Sequence, residues 1–378
     1  MAPASRDFQV FAKPIGALCN LECAYCYYLL SQPPNSSGAP PRMPERLLEE
    51  YIVQHVEAAP GRLVSFSWHG GEPTLLGLDY FRTIVALQEK HRPPGGRVVN
   101  GIQTNGLLID EQWCRFLAET SFSVGLSLDG PADLHDCYRV ARGGQPTHRQ
   151  VVRAFRLLRR HRVNCDLLCV VHAKNVGHPA AVYRFFRDLG ATSIGLLPLV
   201  ERDAAEPGGV SARSVPPEAY GRFLCQVFDE WQREDAGRIV VQLFDEASRA
   251  ARGLEPTLCV FRQTCGDVPV VEHDGGFYSC DHFVNQAHRV GNIRQTRLAD
   301  LIDSPQQRAF GQAKLDSLPR ECRVCEVRAM CNGGCPKDRF ARTSDGEGGL
   351  NYLCPGLKMF FSHSLPRFRG VIGPDPGR

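Results

Sequence analysis

The stretch Cys19-Asn20-Leu21-Glu22-Cys23-Ala24-Tyr25-Cys26 reads C-x3-C-x2-C, three cysteines within eight residues. Three thiolates can hold three irons of a four-iron cubane cluster, which leaves the fourth iron without a protein ligand and open for chemistry. A structural zinc site wants four ligands and is commonly built from C-x2-C pairs, so the triplet fits it poorly. A short apolar strand is predicted just before it, over 8–13, and an aromatic pair, Tyr27-Tyr28, follows.

With 378 residues, 43% of them hydrophobic and 22% charged, the chain has the composition of a soluble globular protein with one large domain and a smaller one. A formal net charge of +3 gives no argument for nucleic acid or a membrane as partner. The basic run 156–162 reads as the polar side of an amphipathic helix whose other side carries Val151, Val152, Phe155 and Leu158. Residues 1–14 carry no basic-then-apolar signal pattern, and no apolar run approaches the ~18 residues of a membrane span. The default compartment is therefore the cytoplasm. In that reducing setting, sixteen cysteines argue for metal or catalysis and against a disulfide framework. Three lie at 19–26 and eight between 259 and 354. The other five (Cys114, Cys137, Cys165, Cys169 and Cys225) have no ligand spacing, and most read as small buried hydrophobes.

After a proline-rich loop at 31–42, helical and strand periods alternate. Helices are predicted over 47–58, 79–91, 110–119, 149–161 and 179–189, with Asp110 as an N-cap. Strands are predicted over 63–68, 98–104, 122–128, 165–171 and 193–200. With the strand at 8–13 this makes about six βα units, hence an α/β fold: a partial (β/α)6 TIM-like barrel whose post-strand loops form the site. Residues 201–217 read as a linker-like loop, and a helix over 217–234 packs one apolar face on the core. Near 245–253 the apolar sheet pattern has ended and a Cys-rich, Gly-rich region begins, giving domains at 1–235 and 236–378.

The loops hold the informative residues. After the second strand comes His69-Gly70-Gly71-Glu72-Pro73, whose glycines let backbone come close to a ligand and whose carbonyls suit an ammonium group. The third strand leads into Gln103-Thr104-Asn105-Gly106, and the fourth into Ser127-Leu128-Asp129-Gly130-Pro131. Arg139 follows His135-Asp136. Hydroxyl, carboxylate and guanidinium groups suit ribose hydroxyls and an amino-acid carboxylate. Each is an ordinary turn residue alone, so their joint order carries the signal. Farther on come Cys259-x5-Cys265, Cys280, Cys322-x2-Cys325-x5-Cys331-x3-Cys335 and Cys354. Eight cysteines suffice for two four-ligand sites, and spacing alone leaves structural zinc open.

The triplet, the GGEP loop one strand later and the loops after it resemble the cluster and S-adenosylmethionine (SAM) layout of the radical SAM superfamily. The C-x2-C-x5-C-x3-C run resembles its SPASM extension, which carries auxiliary 4Fe–4S clusters. Along nearly the whole chain the resemblance is to the anaerobic sulfatase-maturating enzymes. It is carried by 19–28, His69-Gly70-Gly71-Glu72-Pro73-Thr74-Leu75, 103–110, Gly125-Leu126-Ser127-Leu128-Asp129-Gly130-Pro131, 168–171, Tyr278-Ser279-Cys280-Asp281, 322–335 and Leu350-Asn351-Tyr352-x-Cys354. The length agrees, with little room for an added peptide-recognition domain.

The resemblance implies oxygen-independent oxidation of a cysteine or serine of a sulfatase, in a C/S-x-P-x-R motif, to Cα-formylglycine. It implies SAM and three 4Fe–4S clusters as cofactors. Cys19, Cys23 and Cys26 would hold the SAM cluster. Cys259, Cys265, Cys280 and Cys335 would hold one auxiliary cluster, and Cys322, Cys325, Cys331 and Cys354 the other. Tyr25, Gly71, Ser127, Arg139 and Val200 would contact SAM, and Asp281 would be the general base that takes the substrate proton. A flavodoxin- or ferredoxin-like electron donor and a monomeric state are expected. Two departures stand out: His69 stands where the family is expected to carry glutamine, and Pro336-Lys337-Asp338 replaces a more basic, Cys-containing variant. The nearest rival reading is a SPASM enzyme that installs a thioether, a carbon–carbon crosslink or an epimer in a ribosomal peptide. A non-catalytic redox carrier or zinc-stabilised binding protein is the more distant one.

Overall fold

The computed structural model of the chain describes residues 2–28, 41–203 and 208–370. Most of the loop expected at 31–42, and 204–207 of the loop expected at 201–217, lie outside the described residues. The chain forms two compact units that it enters in turn: 1–127, 136–166 and 266–311 make one, and 128–135, 167–265 and 312–378 the other.

In the first unit the short strand β1 (Phe11–Lys13) has parallel partners on both sides. On one side is β2 (Leu63–Trp68), with Phe11 opposite Ser67, followed in parallel by β3 (Arg97–Thr104) and β4 (Ser123–Ser127). On the other is β8 (Val270–Glu272), with Lys13 opposite Glu272, and then antiparallel β9 (Gly276–Tyr278) and β10 (Arg289–Asn292). The expected end of the sheet near 245–253 is thus corrected, since strands of three residues are too short to show a period. Helices α1 (Glu45–Ala58), α2 (Leu78–His91), α3 (Glu111–Glu119) and α4 (His148–Arg160) join the parallel strands. Asp110 caps α3, accepting from the backbone N–H of Gln112 and of Trp113 at 2.9 Å. The basic helix α4 buries Val151, Val152, Phe155 and Leu158, as its period requires. Phe66 and Trp68 of β2 are buried beside Tyr51, and the Trp68 indole donates to Asn100 Oδ1 at 2.9 Å, which the Gln88 amide also reaches. That closes the hydrogen-bond account of a buried polar trio.

The second unit contains parallel β5 (Cys165–Val171, entered at 167), β6 (Ser193–Pro198) and β7 (Val240–Val241), with Leu167 opposite Ile194 and Ser193 opposite Val240. Around them lie α5 (Pro179–Leu189), α6 (Pro217–Glu234) and α7 (Gln242–Ala251). Helix α8 (Pro305–Asp316) enters this unit at 312, and α9 (Cys354–Gly370) closes it. Helices α6 and α9 touch backbone to backbone. A Cβ on Gly356 would sit 2.0 Å from the carbonyl oxygen of Pro217, and one on Gly221 would sit 2.7 Å from the Cα of Gly356. Phe228, Phe244 and Phe360 pack at ring separations of 5.3–6.0 Å below that contact. This seats the first turn of α9, and with it Cys354. No described helix is long and apolar enough to cross a membrane.

Candidate active site

The cysteine triplet lies on the loop that leaves β1, and the GGEP loop leaving β2 clamps it. Gly71 N–H donates to the carbonyl of Gly16 at 2.8 Å and Glu72 N–H to that of Leu18 at 2.9 Å. A Cβ on Gly71 would stand 2.2 Å from the Leu18 carbonyl oxygen and 2.5 Å from that of Ala17. The close approach that this glycine permits is therefore to the backbone of the cysteine loop itself. Glu72 is fully buried and accepts four hydrogen bonds: Thr74 N–H and hydroxyl at 3.1 and 2.5 Å, Thr104 hydroxyl and Asn105 N–H at 2.7 Å. Burial pushes its carboxyl up, against those bonds. Asn105, so held, donates its side-chain amide to Asn20 Oδ1 at 2.8 Å and to Cys19 Sγ at 3.8 Å.

The other flank is a ladder with 138–142. Glu22 N–H donates to the Val140 carbonyl and Ala24 N–H to that of Tyr138, both at 2.9 Å. Arg139 reaches back, with Nη1 donating to Cys23 Sγ at 3.9 Å and its guanidinium 5.4 Å from the ring centre of buried Tyr25. Leu21 N–H donates to Cys19 Sγ at 3.3 Å. Amide and guanidinium donors aimed at sulfur are what a thiolate-held iron–sulfur cluster takes from its surroundings, so the donor set fits such a cluster.

Tyr27 and Tyr28 carry the loop directly to Asp281. The Tyr27 hydroxyl donates to Asp281 Oδ2 at 2.5 Å, and Lys13 Nζ pairs with Asp281 Oδ1 at 2.6 Å. The Lys13 side chain is only 2% exposed, against 15% for Asp281, and its ammonium sits 3.5 Å from the Tyr28 ring centre. The Tyr28 hydroxyl donates in turn to both oxygens of buried Glu272, at 2.6 and 2.9 Å. Burial opposes the charge on Asp281. Lys13, helped by His282 and His69, overcomes it and holds the carboxyl well below the usual carboxylate range. His69 stacks on Phe11 at 3.9 Å with its Nε2 2.9 Å from Ser67 Oγ; burial lowers its pKa to about 4, so the ring is neutral at pH 7. The arrangement is a fixed carboxylate anion beside Cys280, held by the tyrosine that follows Cys26.

In the second unit Cys322, Cys325, Cys331 and Cys354 line one small cavity with Val327, Gly333 and Lys358. Four cysteines lining one cavity fit a closed four-thiolate cluster. Of the other auxiliary set, Cys259, Cys265 and Cys335 lie in the second unit and Cys280 in the first. Among the expected SAM contacts, Tyr25, Gly71, Ser127 and Arg139 belong to the first unit and Val200 to the second. Ser127 Oγ accepts from the Gln103 amide at 3.1 Å. Sequence reasoning missed Lys13 and Glu272, and singled out the loops that hold Glu72 and Asn105 without giving either residue a role. Lys13 carried a signal, since a lysine ending an apolar strand directly before the cysteine loop is costly to bury unless paired.

Comparison with known proteins agrees with this geometry. The radical SAM superfamily matches residues 14–186, and the iron–sulfur cluster-binding SPASM domain matches 264–326. The chain is 38% identical to the serine-type anaerobic sulfatase-maturating enzyme of Bacteroides thetaiotaomicron, covering 97% of this chain and 91% of that one. It is 32% identical to the cysteine-type enzyme of Clostridium perfringens, over 95% and 96%. The solved structure described as native anSMEcpe with bound AdoMet and Cp18Cys peptide superposes with a TM-score of 0.87 at 32% identity, over 96% of this chain and 98% of that one. The α/β radical SAM fold with a SPASM domain, the SAM and iron–sulfur cofactors and a protein or peptide as substrate follow. This chain belongs to the anaerobic sulfatase-maturating enzymes, radical SAM oxidoreductases of the SPASM group.

Proposed function

We propose that this chain oxidises the cysteine or serine of a sulfatase C/S-x-P-x-R motif to Cα-formylglycine, with Asp281 taking the substrate proton. Cys19, Cys23 and Cys26 hold the SAM cluster in this reading. Cys259, Cys265, Cys280 and Cys335 hold one auxiliary cluster, and Cys322, Cys325, Cys331 and Cys354 the other. Tyr25, Gly71, Ser127, Arg139 and Val200 contact SAM. Residues 1–235 form the barrel domain and 236–378 the SPASM domain in this reading. The chain works as a cytoplasmic monomer fed by a flavodoxin- or ferredoxin-like donor.

When bound, SAM on its cluster supplies a radical that removes one hydrogen atom from the substrate Cβ. The substrate must then lose one proton from its S–H or O–H and one electron from carbon, which makes a C=S or C=O bond. A serine gives the aldehyde directly; a cysteine gives a thioaldehyde, which water converts to the aldehyde with release of hydrogen sulfide. Asp281 supports the proton step because it places a carboxylate, fixed by Lys13 and Tyr27, beside the proposed cluster ligand Cys280. Closed four-cysteine clusters suit the electron step, having no iron free for substrate.

The observation that carries the reading is the Lys13–Asp281–Tyr27 constellation at the end of the triplet loop. It is tested by anaerobic reconstitution with SAM, a reductant, and a C-x-P-x-R peptide beside its S-x-P-x-R twin, with mass spectrometry of the products. An aldehyde in either peptide is expected. SAM cleavage with no aldehyde from either would move the assignment to the peptide-crosslinking class.

A further inference from the structure

Two cations lie among the auxiliary cysteines of the second unit without a carboxylate to pair with. Lys314 on α8 is 1% exposed, and its Nζ donates to the carbonyls of Cys259 at 2.7 Å and Val260 at 3.0 Å. Its own carbonyl accepts from Arg339 Nη1 at 2.5 Å. The same guanidinium donates to the carbonyls of Asn332 at 2.7 Å and Gly333 at 2.9 Å, in the three-residue turn between Cys331 and Cys335. Asn332 holds that turn in place, donating its side-chain amide to the Phe261 carbonyl at 2.7 Å. Neither cation forms an ion pair among the described residues. The acidic groups that act most strongly on each are cysteines: Cys265, Cys259 and Cys335 on Lys314, and Cys322, Cys331, Cys335 and Cys265 on Arg339.

A buried cation without a counter-charge is costly, and carbonyl dipoles offset only part of that cost. A four-iron cluster with four thiolates carries net negative charge, and one more negative charge when reduced. A fixed cation beside it therefore favours the reduced form. We propose that Lys314 and Arg339 form a cationic strap across the ligand loops of both auxiliary clusters, raising their reduction potentials so that they accept the electron the substrate gives up. The strap rests on the cluster reading above. In that step the auxiliary cluster is reduced by one electron, the substrate carbon is oxidised, and the proton goes to Asp281. Lys314 and Arg339 are positioning residues that touch neither substrate nor SAM.

The test is potentiometric titration of the anaerobically reconstituted full chain, followed by electron paramagnetic resonance, in wild type, Lys314→Met and Lys314→Arg. Lys314→Met should lower the reduced-to-oxidised ratio of an auxiliary cluster about tenfold at fixed poise, a shift of about −59 mV for a one-electron couple. Lys314→Arg, which keeps the charge, should titrate as wild type. A Lys314→Met chain with full iron content and an unmoved potential would overturn the proposal. If Lys314→Met loses auxiliary iron, retention by Lys314→Arg supports a charge requirement, and loss from both overturns it in favour of packing. Wild-type iron near four per chain, in place of about twelve, would instead refute the auxiliary clusters themselves, before any variant is compared.

Discussion

Replacing Lys13 by methionine keeps most of the buried stem and removes the charge that holds Asp281. The two side chains are 2% and 15% exposed and 2.6 Å apart, so little water screens them. At an effective dielectric constant of about 20, Coulomb's law puts their attraction on the order of 6 kcal/mol, most of it offset by the cost of desolvation. Removing one member leaves the other charged and buried, which typically costs about 3–5 kcal/mol. With about 2.1 cal/mol/K of unfolding entropy per residue over 378 residues, ~3 kcal/mol corresponds to a melting shift of ~4 °C. Asp281→Asn should cost a similar amount by orphaning Lys13 over the Tyr28 ring. The double variant removes both charges and should melt above the sum of the two losses, with a coupling of at least ~1.5 kcal/mol. Melting of the reconstituted chains at one scan rate measures this. Shifts that add to within about 0.5 kcal/mol would refute the idea that this pair is a buried, mutually dependent unit.

Three further outcomes follow from the same geometry. Gly71→Ala puts a methyl group 2.2 Å from the Leu18 carbonyl oxygen and must displace the cysteine loop. It should lose the SAM-cluster iron and SAM cleavage together, while a full cluster with only weakened SAM binding would show that the glycine is needed for the ligand and not for the loop. Gly356→Ala, 2.0 Å from the Pro217 carbonyl, should cost at least about 3 kcal/mol through forced separation of α6 and α9. Its iron loss should fall on the auxiliary clusters, with SAM cleavage retained. His55 is buried against Phe66 and Tyr51, and burial lowers its pKa to about 3. The unfolded chain takes up that proton near pH 6.5 and the folded one does not. Stability should therefore fall by up to ~1.4 kcal/mol per unit from pH 6.5 toward 3. Denaturation of a His55→Phe chain should show a shallower acid limb, and an unchanged limb would refute the assignment.

The barrel half was legible in the sequence because its strands and helices are long enough to show their periods. Strands β2, β3, β5 and β6, the helices between them and the Asp110 cap all lie where the pattern put them, to within a few residues. The return of the chain as β8 beside β1 was not legible, because three residues, Val270–Glu272, are compatible with any short apolar turn. The cysteine spacings were legible as ligand sets. Their partners were not: Asn105, Lys13 and Lys314 gain their meaning only from residues dozens to hundreds of positions away, and Arg339 from carbonyls of a nearby turn and of Lys314. The glycines of GGEP were read as a close approach to a ligand; the fold adds a second close approach, of Gly71 to the backbone of the cysteine loop, which spacing cannot show. His69, which stands where the family is expected to carry glutamine, is a neutral ring stacked on Phe11 within the Asp281 surroundings, a place that the sequence alone does not give.

The central claim is that the triplet makes the radical while Asp281 completes the oxidation of a protein side chain. The most direct measurement compares wild type and Asp281→Asn, both anaerobically reconstituted, with SAM, reductant and a C-x-P-x-R peptide. Iron content, 5′-deoxyadenosine and peptide aldehyde are quantified in the same reaction. The account predicts equal iron and comparable 5′-deoxyadenosine, with aldehyde reduced by about 10²–10⁴-fold in the variant. Wild-type levels of aldehyde from Asp281→Asn would contradict it.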